Sequence, residues 1–322
     1  MKTIETPTGH ICIKNGELRK PLEFLSLGDY GQSNNIKADF LGFTDEINSV
    51  DHGELLPLEE KWVITISSQY GCNMGCTFCD VPKVGPGLNV SVNDLIMQFD
   101  SAMRLHPEVK SGRINLHYAR MGEPTWNRDV IDSAYYLKGM LSEKGFDFHP
   151  VVSTMMPKAN KCLKAFLKDW LYFKNYFCSG DAGLQLSINS TSPLAREVMF
   201  NGNALYLREI SDMFLELLQY DEFHGRKITL NFALTGAGIE AGYLRDLFSP
   251  KYFMCKLTPI HDTNACKKNG IEANGYDSYE IYKPIEESLK SVGFDVLVFV
   301  PSKEEDESRI TCGNAILSDK QP

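Results

Sequence analysis

Apolar residues recur at two spacings along the chain, and the two spacings alternate. Short apolar runs predict strands, and apolar residues three and four positions apart predict amphipathic helices. After residue 60, strands are predicted at 63–66, 114–118, 148–153, 184–188, 228–232 and 252–257. Helices are predicted at 92–105, 129–141, 161–173, 205–218, 241–247 and 278–292. Strands that alternate with helices in this way indicate an α/β protein with a parallel sheet.

The number of strand–helix units limits the architecture. Six units are too few for a closed eight-stranded barrel, so the pattern predicts an open, partial (β/α)6 barrel. Ser91 directly precedes the first helix and is predicted to cap it. In such sheets the functional residues lie at the carboxyl ends of the strands. Residues that directly follow a strand are therefore the candidates for a site.

The first sixty residues follow a different pattern. Short apolar pieces at 11–13 and 22–27 flank Asn15-Gly16, a pair typical of a hairpin turn. We therefore expect a small β-rich cap before the barrel and a polar segment after it. The predicted cap, barrel and C-terminal loop or tail occupy residues 1–60, 61–300 and 301–322.

Composition and charge exclude several classes of protein. The content of 43% hydrophobic and 23% charged residues is ordinary for a globular chain. A net charge of −9 argues against broad, sequence-independent binding of nucleic acid, which needs a basic surface. No apolar run has the length of a membrane span, and residues 1–10 lack the apolar core of a signal peptide. We therefore expect a cytoplasmic protein with no membrane partner, whose nine cysteines serve metal or redox chemistry rather than disulfides.

Three of the cysteines lie within eight residues, just after the first barrel strand. Cys72, Cys76 and Cys79 form the pattern C-x3-C-x2-C. Zinc ribbons use two C-x2-C pairs, and bacterial ferredoxins carry a fourth cysteine in the same run. A [4Fe–4S] cluster held by three thiolates leaves one iron open to a substrate atom, and soft thiolates favour such clusters. The alternative is a loop with three structural cysteines.

Small or polar residues follow the next three strands. Taken alone, they are equally typical of turns and helix caps. A glycine at such a position lets a ligand approach the backbone closely. The candidate binding residues are Gly122, Glu123, Ser153, Ser187, Ile188 and Asn189.

The cysteine motif resembles that of the radical S-adenosylmethionine (SAM) superfamily, because Gly75 and Phe78 also match. The resemblance implies that the SAM amino and carboxylate groups bind the open iron. It also implies that one electron from the cluster yields a 5′-deoxyadenosyl radical. A reductant such as flavodoxin or ferredoxin is the implied partner. Gly122 and Glu123 would contact the SAM amino group, and the polar residues after the third and fourth strands would contact its ribose and carboxylate.

Within the superfamily the chain resembles the RlmN and Cfr methyl synthases of ribosomal RNA adenine. Ser67-Ser68-Gln69-Tyr70-Gly71-Cys72, Met121-Gly122-Glu123-Pro124 with Asn127, and Leu186-Ser187-Ile188-Asn189 are similar to segments of that group. Cys312-Gly313-Asn314-Ala315 resembles its C-terminal C-G-Q-L. The resemblance implies that Cys312 is methylated by one SAM molecule and carries the methyl group to an sp2 carbon. An adenine in RNA is the implied acceptor.

Two features depart from that group. Thr65 occupies the position of its second cysteine, the thiol that releases the methylated RNA from its covalent link to the enzyme. The cap is also shorter than the group's N-terminal RNA-binding region. Candidate replacement thiols are Cys178, Cys255 and Cys266. The basic residues of the cap are Lys14, Arg19 and Lys20. The resemblance also suggests a glutamate before the first barrel strand as general base, for which Glu46 is the candidate. If no thiol replaces the missing one, the reaction must end differently.

Three functions follow from these observations. The first is a methyl synthase that acts on an adenine of RNA or a related nucleotide. The second is a radical SAM enzyme of the same descent that acts on a small molecule or peptide without a methyl-cysteine. The third is an electron carrier, which needs neither an open iron nor a Gly-Glu-Pro segment. An enzyme is therefore favoured over a carrier.

Overall fold

A computed structural model describes residues 1–31, 35–43, 52–311 and 315–318. One sheet runs through this part of the chain. Its strands are β1 Lys2–Thr6, β2 Gly9–Asn15, β3 Pro21–Leu27, β4 Asn35–Lys37, β5 Trp62–Ile66, β6 Ile114–Tyr118, β7 Phe148–Thr154, β8 Gly183–Ser187, β9 Ile228–Leu234, β10 Phe253–Pro259 and β11 Val296–Phe299. The α-helices are α1 Val92–Met103, α2 Asp129–Glu143, α3 Leu163–Phe177, α4 Pro193–Met199, α5 Leu207–Leu218, α6 Ala241–Leu247, α7 Asn264–Lys268, α8 Lys283–Ser291, α9 Lys303–Glu307 and α10 Ala315–Ser318.

The strands β5 to β11 run parallel in chain order and form the wall of the partial barrel. At one edge, β3, β2 and β1 continue the sheet in antiparallel order, and at the other edge β4 pairs with β11. The predicted α/β barrel with N-terminal β strands is thus confirmed. The prediction of six barrel strands misses β11. This short apolar strand follows α8 and pairs in parallel with β10.

The N-terminal hairpin forms between β2 and β3, as Asn15-Gly16 indicates. Its loop is longer than a two-residue turn, because the Gly16 amide donates to the Lys20 carbonyl at 3.0 Å. A Cβ atom at Gly16 would lie 2.2 Å from the Tyr70 hydroxyl. Glycine is therefore required where the hairpin tip contacts the chain that follows β5.

The predicted helices all exist, with some shifts in their ends. Ser91 caps α1 as predicted, since its hydroxyl accepts a hydrogen bond from the Asp94 amide at 3.1 Å. The short helix α4, which was not predicted, begins after Ser192, whose hydroxyl accepts from the Ala195 amide. Buried aromatic residues such as Trp170 fill the core between helices and sheet. No helix in the described ranges is long and apolar enough to cross a membrane.

The segment expected to be a polar loop after the barrel contains two short helices, α9 and α10. Ser302 and Glu305 form a capping box, which explains why a chain of charged residues becomes helical here. Glu305 is buried although the segment is strongly polar. The segment therefore packs onto the barrel.

Candidate active site

A cavity of about 380 Å³ opens where the barrel strands end. It is lined by Cys72, Cys76 and Cys79, by Gly122, and by residues 310 and 311 from the C-terminal segment. The side chains predicted to hold a cluster thus share one cavity with the segment that leads to residue 312. A volume of this size is typical of a small-molecule site.

The loop that carries the three cysteines is held by side chains from distant parts of the chain. The Asn203 side-chain amide donates to the Met74 carbonyl at 2.8 Å, and the Thr263 hydroxyl donates to the Phe78 carbonyl at 2.8 Å. Gly75 has a φ of +66°, a left-handed conformation that favours glycine. These contacts fix the shape of the loop without any metal.

The donor set of this loop fits an iron–sulfur cluster. In the described ranges no three His, Cys, Asp or Glu side chains converge closely enough to hold a single metal ion. A [4Fe–4S] cluster takes its thiolates at different irons, so three thiols that open onto one cavity suit it without meeting at a point. Burial raises the pKa of the Cys72 thiol to about 11, so its thiolate would depend on a bound metal. Phe78 and Phe200 pack edge-to-face beside the loop and give it an apolar surround.

Gly122 lies at the end of β6, where the backbone passes close to the cysteine loop. Its φ is +94°, and a Cβ atom there would lie 2.5 Å from Gln69 Cβ. The Glu123 amide donates to the Gln69 side-chain oxygen at 2.9 Å. Only glycine fits this position, which explains the Gly-Glu order of the motif.

The Glu123 carboxylate is almost completely buried and fully engaged by protein groups. Its Oε1 accepts from the Thr125 amide at 3.0 Å and from the Thr125 and Thr154 hydroxyls at 2.7 Å each. Its Oε2 accepts from the Met155 amide at 2.8 Å. Burial raises the pKa of Glu123, while these hydrogen bonds oppose that rise. The carboxylate joins the ends of β6 and β7 and does not line the cavity, so its contact with SAM stays a prediction.

The remaining predicted binding residues lie at the ends of β7 and β8. Ser153 is on β7 and Ser187 is the last residue of β8. The Ile188 and Asn189 amides both donate to the Asn231 carbonyl, at 2.8 and 3.1 Å. These four residues do not line the cavity, and their contacts with a cofactor stay predictions.

The sequence interpretation missed a group of polar side chains on the inner face of the barrel. They include His117, Gln185, Asn231 and Lys256, each of which lines the cavity from a different strand. Burial lowers the pKa of Lys256 to about 8 and that of His117 to about 3, so the imidazole is neutral. The available signal was a charged or polar residue inside an apolar strand, as in the segment F-M-C-K-L-T-P of β10.

A buried ion pair that the sequence did not reveal holds the C-terminal segment. Arg120 Nε donates to Glu23 Oε1 at 2.7 Å, and the Arg120 guanidinium also donates to the Arg309 and Ile310 carbonyls at 2.6 and 2.9 Å. Glu23 Oε2 accepts from the Ile316 amide at 2.9 Å. One pair of side chains thus fixes the chain both before and after residues 312–314.

The two predicted catalytic residues, Cys312 and Glu46, lie outside the described residues, and their roles stay predictions. The chain reaches position 312 through Thr311, which lines the cavity. The Thr311 hydroxyl donates to Asp306 Oδ1 at 2.7 Å. The chain therefore forms part of the cavity wall up to residue 311.

The candidate replacement thiols do not lie with Thr65. Cys178 follows α3, Cys255 lies in the core on β10, and Cys266 lies in α7 with its thiol towards the Phe78 carbonyl. Among the cysteines in the described ranges, those that line the cavity are the ones of the cluster motif. In this part of the chain, no other thiol takes the place of the missing one.

Comparison with known proteins places this site in context. No family model matches the chain. It is 29% identical over 181 residues to the probable dual-specificity RNA methyltransferase RlmN of Parabacteroides distasonis, covering 55% of this chain and 46% of that protein. It is 25% identical over 231 residues to the probable RlmN of Prochlorococcus marinus, covering 69% of this chain and 60% of that protein. The chain thus spans about half the length of these relatives.

A solved structure shares the fold. The radical SAM methyltransferase from Sphaerobacter thermophilus superposes with a TM-score of 0.63 over 95% of this chain and 77% of that chain, at 16% identity. The cysteine motif opens onto the barrel mouth in the present structure, and both of the sequence relatives named above are RlmN enzymes. The chain is therefore a distant relative of the RlmN dual-specificity RNA methyltransferases, and it has the fold of a radical SAM methyltransferase.

Proposed function

We propose that this chain is a radical SAM methyltransferase in which Cys312 carries the methyl group to an sp2 carbon of the substrate. One observation carries the proposal. Ile310 and Thr311 line the same cavity as the three motif cysteines, and the pair of Glu23 and Arg120 ties down the chain on both sides of residues 312–314. These contacts support the proposal because the chain directly before Cys312 forms part of the cavity wall.

The cofactors would be a [4Fe–4S] cluster held by Cys72, Cys76 and Cys79, and SAM bound beside Gly122. When bound, they supply the methyl group and a 5′-deoxyadenosyl radical, with the electron coming from a small carrier such as flavodoxin or ferredoxin. Leu25, Leu27 and Phe78 also line the cavity and help to exclude water from reactive species.

The role of Cys312 follows from the chemistry of a thiol. Its sulfur forms a bond to the methyl carbon as the carbon–sulfonium bond of the donor breaks, and the thiol proton is lost. The resulting thioether offers a methyl C–H bond, which the unmodified thiol lacks. Covalent catalysis of this kind divides one difficult transfer into two easier steps. Glu46 is the proposed base for the later proton removal, on the resemblance alone.

The test is peptide mass spectrometry after anaerobic reconstitution of the cluster and incubation with methyl-labelled SAM. We expect the label on Cys312 and no label there in Cys312→Ala. Cys162→Ala is the matched control, because Cys162 is exposed and lies away from the cavity. That variant should label Cys312 as the wild type does.

The decisive negative result is an unmodified Cys312 in a preparation that cleaves SAM to 5′-deoxyadenosine. In that case the chain is a radical SAM enzyme without a methyl-cysteine. Labelling of a cysteine other than Cys312 would also reject the proposed carrier.

A further inference from the structure

Lys256 places a cation deep inside the barrel. It is the fourth residue of β10, so three residues, or about 10 Å of strand, separate it from the strand end at Pro259. Its side chain lines the cavity, and its Nζ lies 4.0 Å from the centre of the Phe299 ring. A ligand group reaches this ammonium only by entering the barrel.

Among the described residues Lys256 has no ionic partner, whereas Arg120 and Asp29, which also line the cavity, each have one. In the described part of the chain, no carboxylate lies within ion-pair distance of its Nζ. The other pairs are Arg120 with Glu23, Asp29 with Lys61, and His261 with Asp306. A cation–π contact offsets only part of the cost of an unpaired buried ammonium. The cavity floor is therefore complementary to an anion.

Asn231 provides a second unsatisfied group beside Lys256. The two residues are register partners on the adjacent strands β9 and β10. Asn231 Oδ1 is buried and has no hydrogen-bond partner among the described residues. Buried polar atoms are rarely left without a partner, so a ligand that brings an N–H or O–H donor would satisfy it. Gln185 and the neutral His117 complete a polar floor.

We infer that the substrate is a small molecule whose inner end bears a carboxylate or phosphate bound by Lys256, with a neighbouring donor to Asn231. This inference rests on the proposed function and names its substrate class. A base that enters from an RNA chain would bring an uncharged ring to the floor and leave its phosphodiester near the mouth. A cationic floor and a chain of net charge −9 both favour the small anion over RNA.

The test uses sulfate as the probe for a phosphate group and acetate as the probe for a carboxylate. Their binding to the cluster-reconstituted enzyme without SAM is measured by calorimetry. We expect Lys256→Met to weaken the preferred probe by about tenfold or more, since a charge-assisted contact is lost. Lys256→Arg should retain binding, which guards against a simple folding defect. Lys251→Met is the control, because Lys251 is exposed and pairs with Glu222 outside the cavity.

Which probe binds more tightly distinguishes a phosphate from a carboxylate. The inference is wrong if neither probe binds the wild type, or if Lys256→Met binds both as tightly as the wild type does. It is also wrong if the wild type and Lys256→Met methylate an adenine-containing RNA at the same rate. Loss of SAM affinity in Lys256→Met, without probe binding in the wild type, would assign Lys256 to the cofactor instead. None of these measurements uses Cys312 labelling, so a failure of the proposed methyl carrier can be distinguished from a failure of this inference.

Discussion

Removing the buried ion pair between Glu23 and Arg120 tests how the C-terminal segment is held at the cavity. Arg120→Met keeps an unbranched apolar side chain but removes the guanidinium. The side chains of Glu23 and Arg120 are 0% and 3% exposed, so the Glu23 carboxylate would lose its cation in a buried site. The Arg309 and Ile310 carbonyls would lose their donors in the same step.

The expected magnitude follows from this burial. Removing one partner of a buried ion pair costs about 3–5 kcal/mol, because a buried charge remains uncompensated. Each orphaned carbonyl adds about 1–3 kcal/mol unless water reaches it. The least costly response is release of the segment, which hydrates Glu23 and both carbonyls together. We therefore expect a loss of about 3 kcal/mol in the free energy of unfolding and local exposure of the C-terminal segment.

Urea denaturation and hydrogen exchange measure these two effects. Amides at 309–311 and 315–318 should exchange faster in Arg120→Met, and Cys312 labelling should fall. Glu23→Leu combined with Arg120→Met should recover about 2 kcal/mol or more, since no buried charge is left. Arg128→Met is the control: Arg128 is 63% exposed and pairs with Asp169, so its loss should cost at most about 1 kcal/mol. Unchanged exchange together with a loss below about 1 kcal/mol in Arg120→Met would refute the reasoning.

Three further substitutions test the cysteine loop and the Gly-Glu motif. Cys76→Ala should lose the iron and visible absorbance of the reconstituted cluster, whereas the exposed Cys162→Ala should keep both; full iron in Cys76→Ala would contradict the assignment. Gly122→Ala should destabilise the metal-free protein by about 1–3 kcal/mol in urea unfolding, because its Cβ would meet Gln69 in a left-handed conformation; an unchanged midpoint would argue against this account. Glu123→Gln should cost about 1–3 kcal/mol in the same assay, because an amide N–H₂ then faces a hydrogen-bond donor; a loss of SAM affinity alone would instead favour direct contact.

Local patterns explain why much of the fold could be predicted. The predicted strand at 114–118 coincides with β6, because the alternation of apolar and polar residues stops where the strand stops. The predicted helix at 278–292 began too early, since α8 starts at Lys283. Pro284 occupies the first turn of that helix, a position that suits proline, and this signal was available in the sequence.

The site was predictable where its residues are close in sequence. The three motif cysteines share one loop, so their spacing alone brings them to one cavity. Glu23 and Arg120 lie 97 residues apart, and neither has a local partner that would reveal the pair. Lys256 is an intermediate case: its charge in an apolar strand marks it as unusual, but only the fold identifies the cavity that it faces.

Thr65 connects the chemistry of the proposed reaction with the class of substrate. Its side chain lines the cavity together with Thr311, so the position of the missing second cysteine opens onto the same cavity as the three motif cysteines. A threonine hydroxyl cannot form a disulfide with Cys312, and no thiol in the described ranges takes its place there. If Cys312 carries the methyl group as proposed, product release would have to proceed without thiol exchange. The unpaired ammonium of the polar floor supports the inferred anionic substrate in place of an uncharged base. Thr65 and the polar floor with Lys256 lie in one cavity, and the inferred change of substrate would account for both.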